Sequence, residues 1–345
     1  MLRYILKRLL LMIPTLIGVL TVTFVIIQFV PGGPVDQIIA EMRAGGLEGA
    51  RSGSVGRRDL DAQQIEEIKK LYGFDKPPLT RYVDMMKGFA HFDLGRSFMH
   101  NKDVWQLIKE KLPVSISLGM WTFLLTYLIS IPLGVAKAVR EGSRFDAATT
   151  FVVLIGFALP GFALGVLLIV LFAGGTFLDW FPLRGLTSDN WATLSWPGRI
   201  GDYLWHLVLP LTCYAIGSFA VVTLLTKNTF VEEIRKQYVL VARAKGVDER
   251  RVLFKHVFRN ALIPIVTGFP TAFVAAFFAG SLLIETLFSL DGIGLLSYES
   301  IVRRDYPVVL GSLYFFTLIG LVVKLIGDLL YVVVDPRVQF AAAAK

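Results

Sequence analysis

Charged side chains within the apolar parts of the sequence are the first candidates for chemistry. Lys324 and Asp328 lie four residues apart in an apolar run, a spacing that places both on one face of a helix. The pattern predicts a structural ion pair, and the alternative is a charged ligand for a substrate. Glu285 ends another apolar run, where it can satisfy a neighbouring Arg or touch a substrate. No chain of acidic or histidine residues accompanies them, which disfavours a proton-driven carrier.

The residue types needed for catalysis or metal binding are present but are not clustered. The four histidines stand in separate segments without metal-ligand spacing, at His91, His100, His206 and His256. No Gly-Lys dipeptide occurs, which excludes a Walker A loop of the usual form. We therefore expect neither an enzyme nor a cofactor in this chain, so that any ATP and Mg²⁺ would be bound by a partner ATPase.

The most informative stretch runs from Glu232 to Pro264 and lies between two long apolar segments. With Lys227 included it carries nine Lys or Arg residues. Gly246 follows one helical pattern and Asp248 precedes another, which predicts a helix, a turn and a second helix. In the second helix one face is shared by Val252, Leu253, His256 and Val257, with basic residues interleaved. The segment is predicted to be a compact projection offered to a partner.

Two other interpretations of this stretch come from its charge. An ordinary basic loop on the cytoplasmic side of a membrane protein would carry a similar excess of Lys and Arg. A DNA-binding helix-turn-helix also has a basic helix. We disfavour nucleic acid as a partner because both ends of the segment are tethered to apolar spans.

Composition indicates an integral membrane protein. The chain has 345 residues, of which 54% are hydrophobic and 18% charged, and its mean hydropathy is +0.62. Six apolar runs are long enough to cross a bilayer. The predicted spans are residues 9–30, 112–136, 147–173, 203–226, 261–285 and 308–334.

Basic residues place both termini in the cytoplasm, with residues 1–8 and 335–345 on that side. Residues 227–260 form an inner loop, whereas 174–202 and 289–307 are outer loops. The long segment 31–111 is predicted to be periplasmic with short helices, and within it residues 45–56 are Gly/Ser/Arg-rich and predicted to form a mobile insert. Gly161 and Gly165 form a GxxxG pair after Pro160, which predicts close helix packing.

Several motifs resemble one family along nearly the whole chain. Ala242-Arg243-Ala244-Lys245-Gly246, followed by His256 and Arg259-Asn260-Ala261-Leu262, resembles the "EAA" loop of permease subunits of binding-protein-dependent ABC importers. Further matches are Val30 to Val35, Tyr72 to Pro77, Phe92 to Ser97, Ser281 to Glu285 and Asp335-Pro336-Arg337. Together they are most similar to the peptide branch, of the dipeptide, oligopeptide and microcin C type.

The resemblance implies an all-α, six-span permease of the type I ABC importer kind in the bacterial inner membrane. Its expected partners are a second homologous permease, an ABC ATPase of two chains or one fused chain, a periplasmic peptide-binding protein, the peptide and membrane lipid. The coupling residues toward the ATPase would be Ala242, Arg243, Lys245, Gly246 and His256. The outer gate or receptor contact would include Glu285, Asp291, Gly292 and Ser297, although the outer loop 289–307 could equally be a cover on the bundle.

Three other functions are compatible with parts of this pattern. A permease of the same family could carry another solute, such as nickel or a different oligopeptide. A secondary carrier or channel would need coupling or filter residues inside the spans, and an intramembrane enzyme would need a Ser/His or paired-acid site at membrane depth. Neither kind of site is visible in the sequence, and only the ABC importer requires a nucleotide-binding chain to co-purify.

Overall fold

The computed structural model describes residues 2–30, 66, 70, 74–175, 177–278 and 281–334. These residues form helices and turns, with one isolated β-bridge between Arg96 and Asp103. The helices in chain order are α1 (Leu2–Phe29), α2 (Pro78–Ala90), α3 (Val104–Val139), α4 (Arg144–Ala158), α5 (Gly161–Phe172), α6 (Trp196–Ile234), α7 (Gln237–Ala244), α8 (Glu249–Ala261), α9 (Ile263–Phe278), α10 (Leu282–Leu287), α11 (Ile293–Val302) and α12 (Tyr306–Val334). The prediction of a mainly helical protein is confirmed. The predicted insert at 45–56, most of the segment 31–73 and the tail 335–345 lie outside the described residues.

Four of the described helices are long and apolar enough to cross a membrane. They are Tyr4–Phe29, Val104–Val139, Trp196–Ile234 and Tyr306–Leu329. Two bent helix pairs, α4 with α5 and α8 with α9, raise the number to as many as six if each pair is one span. The helices at the second and fourth predicted spans run beyond both predicted ends, because polar residues at each end continue the same helix.

The third predicted span, residues 147–173, is not one helix. Its two parts, α4 and α5, meet at an angle of 98°. The break lies at Leu159, whose backbone is extended with φ −83° and ψ 122°, immediately before Pro160. A proline disfavours helical backbone in the residue before it and has no N–H to donate, so the chain turns here. The fifth predicted span, 261–285, is also interrupted, because the backbone of Ser281 is extended, with φ −95° and ψ 100°, immediately before α10 begins at Leu282.

The described chain falls into two compact units. One contains Leu112–Leu295 with Val322–Lys345, as far as these are described, and the other contains Leu2–Lys111 with Leu296–Leu321. Helices α3, α11 and α12 each contribute residues to both units. The basic stretch singled out by sequence lies wholly in the first unit.

Glycines bring the helices of the first unit into close contact. A Cβ on Gly161 would lie 2.6 Å from the carbonyl oxygen of Cys213, and one on Gly165 would lie 2.6 Å from Leu287 Cδ2. The predicted close packing of this GxxxG pair is confirmed. A third close contact, at Gly134 of α3, was not predicted: a Cβ there would lie 2.5 Å from Thr226 Cβ and 2.8 Å from the carbonyl oxygen of Thr223 on α6. Helices α3 and α6 therefore touch almost backbone to backbone.

Candidate functional site

The basic stretch folds into two helices joined by a turn, which we call the basic hairpin (residues 237–261). Helix α7 ends at Ala244 with Lys245 as its C-cap, and Gly246 follows with a φ of +77°, a left-handed conformation that glycine adopts without strain. The amide of Val247 donates to the carbonyl of Ala242 across this turn. Asp248 then caps α8 by accepting a hydrogen bond of 3.1 Å from the amide of Arg250. The predicted helix, turn and helix are confirmed.

One face of the basic hairpin is seated on the ends of α3 and α6. Val239, Val252 and Val257 are all buried, and they share a core cluster with Phe230 of α6 and Ala138 of α3. The face predicted from the spacing of Val252, Leu253, His256 and Val257 does point inward, with Leu253 and His256 half-buried. A π-helix over Val252–Val257 makes this possible, because its wider turn keeps residues five positions apart on one side.

A polar network beside the apolar seat fixes the hairpin to the end of α6. The hydroxyl of Tyr238 donates to Glu233 Oε1 at 2.6 Å and accepts from the amide of Asn260 at 3.1 Å. The same Asn260 amide lies 3.2 Å from the carbonyl oxygen of His256. Burial, and then the hydrogen bond to the Glu233 carboxylate, raises the pKa of Tyr238 above its ordinary value. The phenol therefore stays protonated and able to donate at neutral pH.

The opposite face of the basic hairpin is exposed and combines apolar with basic side chains. Leu240, Val241 and Phe254 are exposed, Phe254 by 63%. The basic residues around them are also exposed, namely Arg243, Lys245, Arg250, Arg251, Lys255 and Arg259. Apolar anchors within a polar rim are typical of a protein interface. The three apolar residues were not predicted from the sequence, although apolar residues standing among the basic residues of both helices were a signal.

The five predicted coupling residues do not lie on a single face. Arg243, Lys245 and Gly246 are exposed, and Arg243 pairs with Glu249 across the turn at 2.7 Å. Ala242 and His256 are half-buried, and Ala242 packs against the buried seat. The small size of Ala242 thus serves the seat of the hairpin within this chain.

Glu285 and Gly292, both predicted at the outer gate, lie in contact with each other, and the carboxylate is buried. Glu285 is 0% exposed and accepts a 2.7 Å hydrogen bond from the amide of Leu295 in the first turn of α11. Tyr214 donates to the same carboxylate at 3.3 Å. A Cβ on Gly292 would lie 2.8 Å from Glu285 Oε2, so this position has room only for glycine. Within this chain the carboxylate of Glu285 is therefore satisfied by the start of α11 and by Tyr214, and its role at the gate or in receptor contact stays a prediction.

The remaining predicted residues have separate environments. Asp291 is exposed and Ser297 is half-buried. Lys324 is exposed and Asp328 is half-buried. The ion pair between them stays a prediction.

A cavity of about 640 Å³ lies within the first unit, beside the break between α4 and α5. Its lining comes from α3, from both sides of the break, from α6 and from α9 and α10, and includes Thr126, Tyr127, Phe162, Tyr214 and Ser218. None of the described lining residues is Asp, Glu, Lys, Arg or His. The cavity can hold a neutral or amphipathic group without a fixed charge to select it.

A buried carboxylate also joins two distant segments of the second unit, the turn at Ser97 and Phe98 and the residue just before α12. Asp305 is buried and accepts hydrogen bonds from the hydroxyl of Ser97 at 2.5 Å and the amide of Phe98 at 3.0 Å. The two partners are 208 and 207 residues away from Asp305 along the chain. No local pattern could have predicted this contact.

Comparison with known proteins gives consistent matches. The family model described as "Binding-protein-dependent transport system inner membrane component" matches residues 130–340. The chain is 52% identical to the "Peptidoglycan transport system permease protein YejB" of Agrobacterium fabrum and 51% identical to the "Inner membrane ABC transporter permease protein YejB" of Escherichia coli O157:H7, with 98% of each chain covered in both cases. It is 33% identical to the "Oligopeptide transport system permease protein AppB" of Bacillus subtilis, covering 98% of this chain and 99% of that protein.

Proposed function

Because this chain belongs to the family of binding-protein-dependent transport system inner membrane components, we propose that it is a permease subunit of an ATP-driven peptide importer. Its place is the inner membrane, and its own role is transport rather than catalysis. The near full-length similarity to permeases of peptide-related systems carries this proposal. It includes as cargo short peptides and peptide-like antibiotics of the microcin C type.

We place the ATPase at the exposed face of the basic hairpin. The buried face of the hairpin is already occupied by the ends of α3 and α6, so only the face with Leu240, Val241 and Phe254 is open to a partner. Phe254 supplies an aromatic anchor of the kind that dominates interface energies, and the surrounding Lys and Arg side chains complement an acidic rim. The Tyr238 network would keep the hairpin rigid, so that a movement of the ATPase is passed to α6.

The uncharged cavity of the first unit supports a pathway that accepts many peptide sequences. A wall of Thr, Ser, Tyr and Phe offers hydrogen bonds and apolar surface but no fixed charge that would select for one cargo. Selection would then lie with the periplasmic binding protein, which we expect to meet the outer loop near Asp291 and Ser297. A second, similar permease would complete the pathway, and ATP binding would turn it from inward to outward facing.

The proposal is tested by replacing Phe254. Phe254→Asp should reduce co-purification of the ATPase in mild detergent by about tenfold or more, since loss of an interface anchor costs roughly 2 kcal/mol. Phe177→Asp is the matched control, because Phe177 is 67% exposed but lies far from the hairpin in sequence. Absence of any nucleotide-binding chain from the wild-type preparation would contradict the importer assignment, and full retention with Phe254→Asp would contradict the docking face alone.

A further inference from the structure

Three charged side chains form a buried cluster at the ends of the helices that carry the basic hairpin. Lys137 in the last turn of α3 is 0% exposed, and Asp146 in the first turn of α4 is also buried. Lys227 of α6 reaches the same carboxylate and is 19% exposed. We call Lys137, Asp146 and Lys227 the buried charge cluster. None of its three residues was among the predicted sites, and the docking of the ATPase proposed above does not involve them.

Every proton of the Lys137 ammonium has an acceptor. Its Nζ lies 2.7 Å from Thr150 Oγ1, 2.8 Å from Thr149 Oγ1 and 3.0 Å from the carbonyl oxygen of Asp146. Asp146 Oδ1 is 3.1 Å away. A buried ammonium is costly unless it is fully paired, so this arrangement is tolerated only in one relative position of α3 and α4.

Asp146 connects this pair to a third helix. Its Oδ2 accepts from Lys227 Nζ at 2.7 Å and from the amide of Gly142 at 3.2 Å. One carboxylate is therefore shared by ammonium groups from two helices, and removing it would leave two like charges close together with no counter-charge. Asp146 of α4 therefore fixes the ends of α3, α4 and α6 relative to one another.

The cluster lies one helical turn from both the close helix contact and the seat of the basic hairpin. Gly134, three residues before Lys137, touches Thr226, the neighbour of Lys227. Ala138 follows Lys137, and Phe230 comes three residues after Lys227; both belong to the apolar core on which the hairpin is seated. A force on the hairpin thus reaches the three helices where they are tied together.

We propose that Lys137, Asp146 and Lys227 are positioning residues that make the ends of α3, α4 and α6 move as one body when the basic hairpin is displaced. This inference rests on the proposed function, because it assumes that an ATPase displaces the hairpin. A rigid joint is needed for coupling, since packed elements transmit movement only if they hold one arrangement at a time. Without the cluster, the hairpin would move while the spans stay behind.

Lys227→Met is the principal test, because it leaves the charge-balanced Lys137–Asp146 pair intact and removes only the tie to α6. The complete importer with its receptor would be placed in proteoliposomes, with a radiolabelled copy of the peptide that co-purifies with the receptor as the probe. We expect an assembled complex whose peptide uptake per ATP hydrolysed falls by about tenfold, within the range found for coupling mutations. Asp146→Asn should fall further in uptake per ATP or fail to assemble, because it leaves Lys137 without its counter-charge.

Glu141→Gln is the matched control. Glu141 lies between α3 and α4 and pairs at 2.8 Å with Arg235, which directly follows α6. Because both side chains are exposed, uptake per ATP should stay within about twofold of the wild type. Unchanged uptake per ATP in Lys227→Met would overturn the proposal while leaving the importer assignment in place. Loss of assembly in Lys227→Met would also overturn it, since the cluster would then serve folding alone. Wild-type protein without ATPase would instead contradict the proposed function.

Discussion

At the scale of single residues, two buried carboxylates accept hydrogen bonds from the protein's own backbone and side chains. Glu285 accepts hydrogen bonds from the start of α11 and from Tyr214. Asp305 accepts them from the hydroxyl of Ser97 and the amide of Phe98. Each of these carboxylates accepts hydrogen bonds from backbone N–H groups that have no backbone acceptor at a helix start or a turn. Replacing either residue should therefore lower the stability of the protein before it changes the selectivity for cargo.

Glu285→Ala should destabilise the protein by about 1–3 kcal/mol, because it leaves buried amide donors without an acceptor. The measurement is thermal unfolding of the purified permease in detergent. Glu285→Gln is the matched variant, since its side-chain oxygen can still accept from the amide of Leu295, and it should cost less. Equal stability of Glu285→Ala and the wild type would show that the helix start does not depend on this side chain.

Gly246 carries a prediction that separates conformation from crowding. Nothing lies within 4 Å of the place of a Cβ on Gly246, but its φ of +77° costs a side chain about 1–2 kcal/mol. Gly246→Val should redirect α8 and abolish stimulation of ATP hydrolysis by loaded receptor, while the protein stays in the membrane at normal levels. Gly246→Asn should keep most of the stimulation, because Asn tolerates left-handed backbone. Full stimulation with Val would remove the turn from the coupling path.

At the scale of helices, close approach through glycine decides how the first unit packs. Gly161 faces a backbone carbonyl that cannot move aside, whereas Gly165 faces the flexible end of Leu287. Overpacking of a rigid neighbour costs about 1–3 kcal/mol. Gly161→Ala should therefore lower the unfolding temperature more than Gly165→Ala does.

Gly201→Ala in α6 is the control for these two variants. Nothing lies within 4 Å of its Cβ position, so replacing a helical glycine there should stabilise the protein by about 0.5–1 kcal/mol. Thermal unfolding of the three purified variants gives the order directly. A larger loss at Gly165 than at Gly161 would contradict the packing described for α5.

The sequence predicts elements well where a local pattern decides them. Gly246 and Asp248 correctly predicted the turn and the cap of the basic hairpin, and the spacing of Gly161 and Gly165 correctly predicted a close helix contact. The 98° bend at Pro160 was not predicted, because a proline inside an apolar run is compatible with both a kink and a break, and packing decides between them. The Lys137–Asp146–Lys227 cluster was missed for another reason: Lys227 is 81 residues from Asp146, and spacing says nothing at that range.

At the scale of the whole molecule, we propose that the cargo passes through the uncharged cavity and that the ATPase docks on the basic hairpin. If the cavity forms part of the pathway, its lack of charge should be the reason that cargo charge matters little after delivery. Ser218→Asp places a carboxylate in the lining at an exposed position of α6. It should lower uptake of anionic peptides relative to cationic ones by severalfold, since like charges repel strongly at low dielectric.

Thr212→Asp is the control for this prediction, because Thr212 is an exposed residue of the same helix that is absent from the described cavity lining. Uptake of peptides matched in length but opposite in net charge would be measured in proteoliposomes for both variants. The same bias in Thr212→Asp, or none in Ser218→Asp, would argue against the cavity as the pathway.

The π-helix at Val252–Val257 absorbs one residue within α8. A π-turn contains one residue more than an α-turn, and here that extra residue lets Val252 and Val257 both enter the core. In an ordinary helix of the same length the two valines would stand about 140° apart, and only one of them could face the core. Deleting one residue between them would place them four positions apart, on one face of an ordinary helix. A single-codon deletion within the π-helix would therefore leave the partner surface facing the same way, whereas the same deletion elsewhere in α8 would rotate it by about 100°.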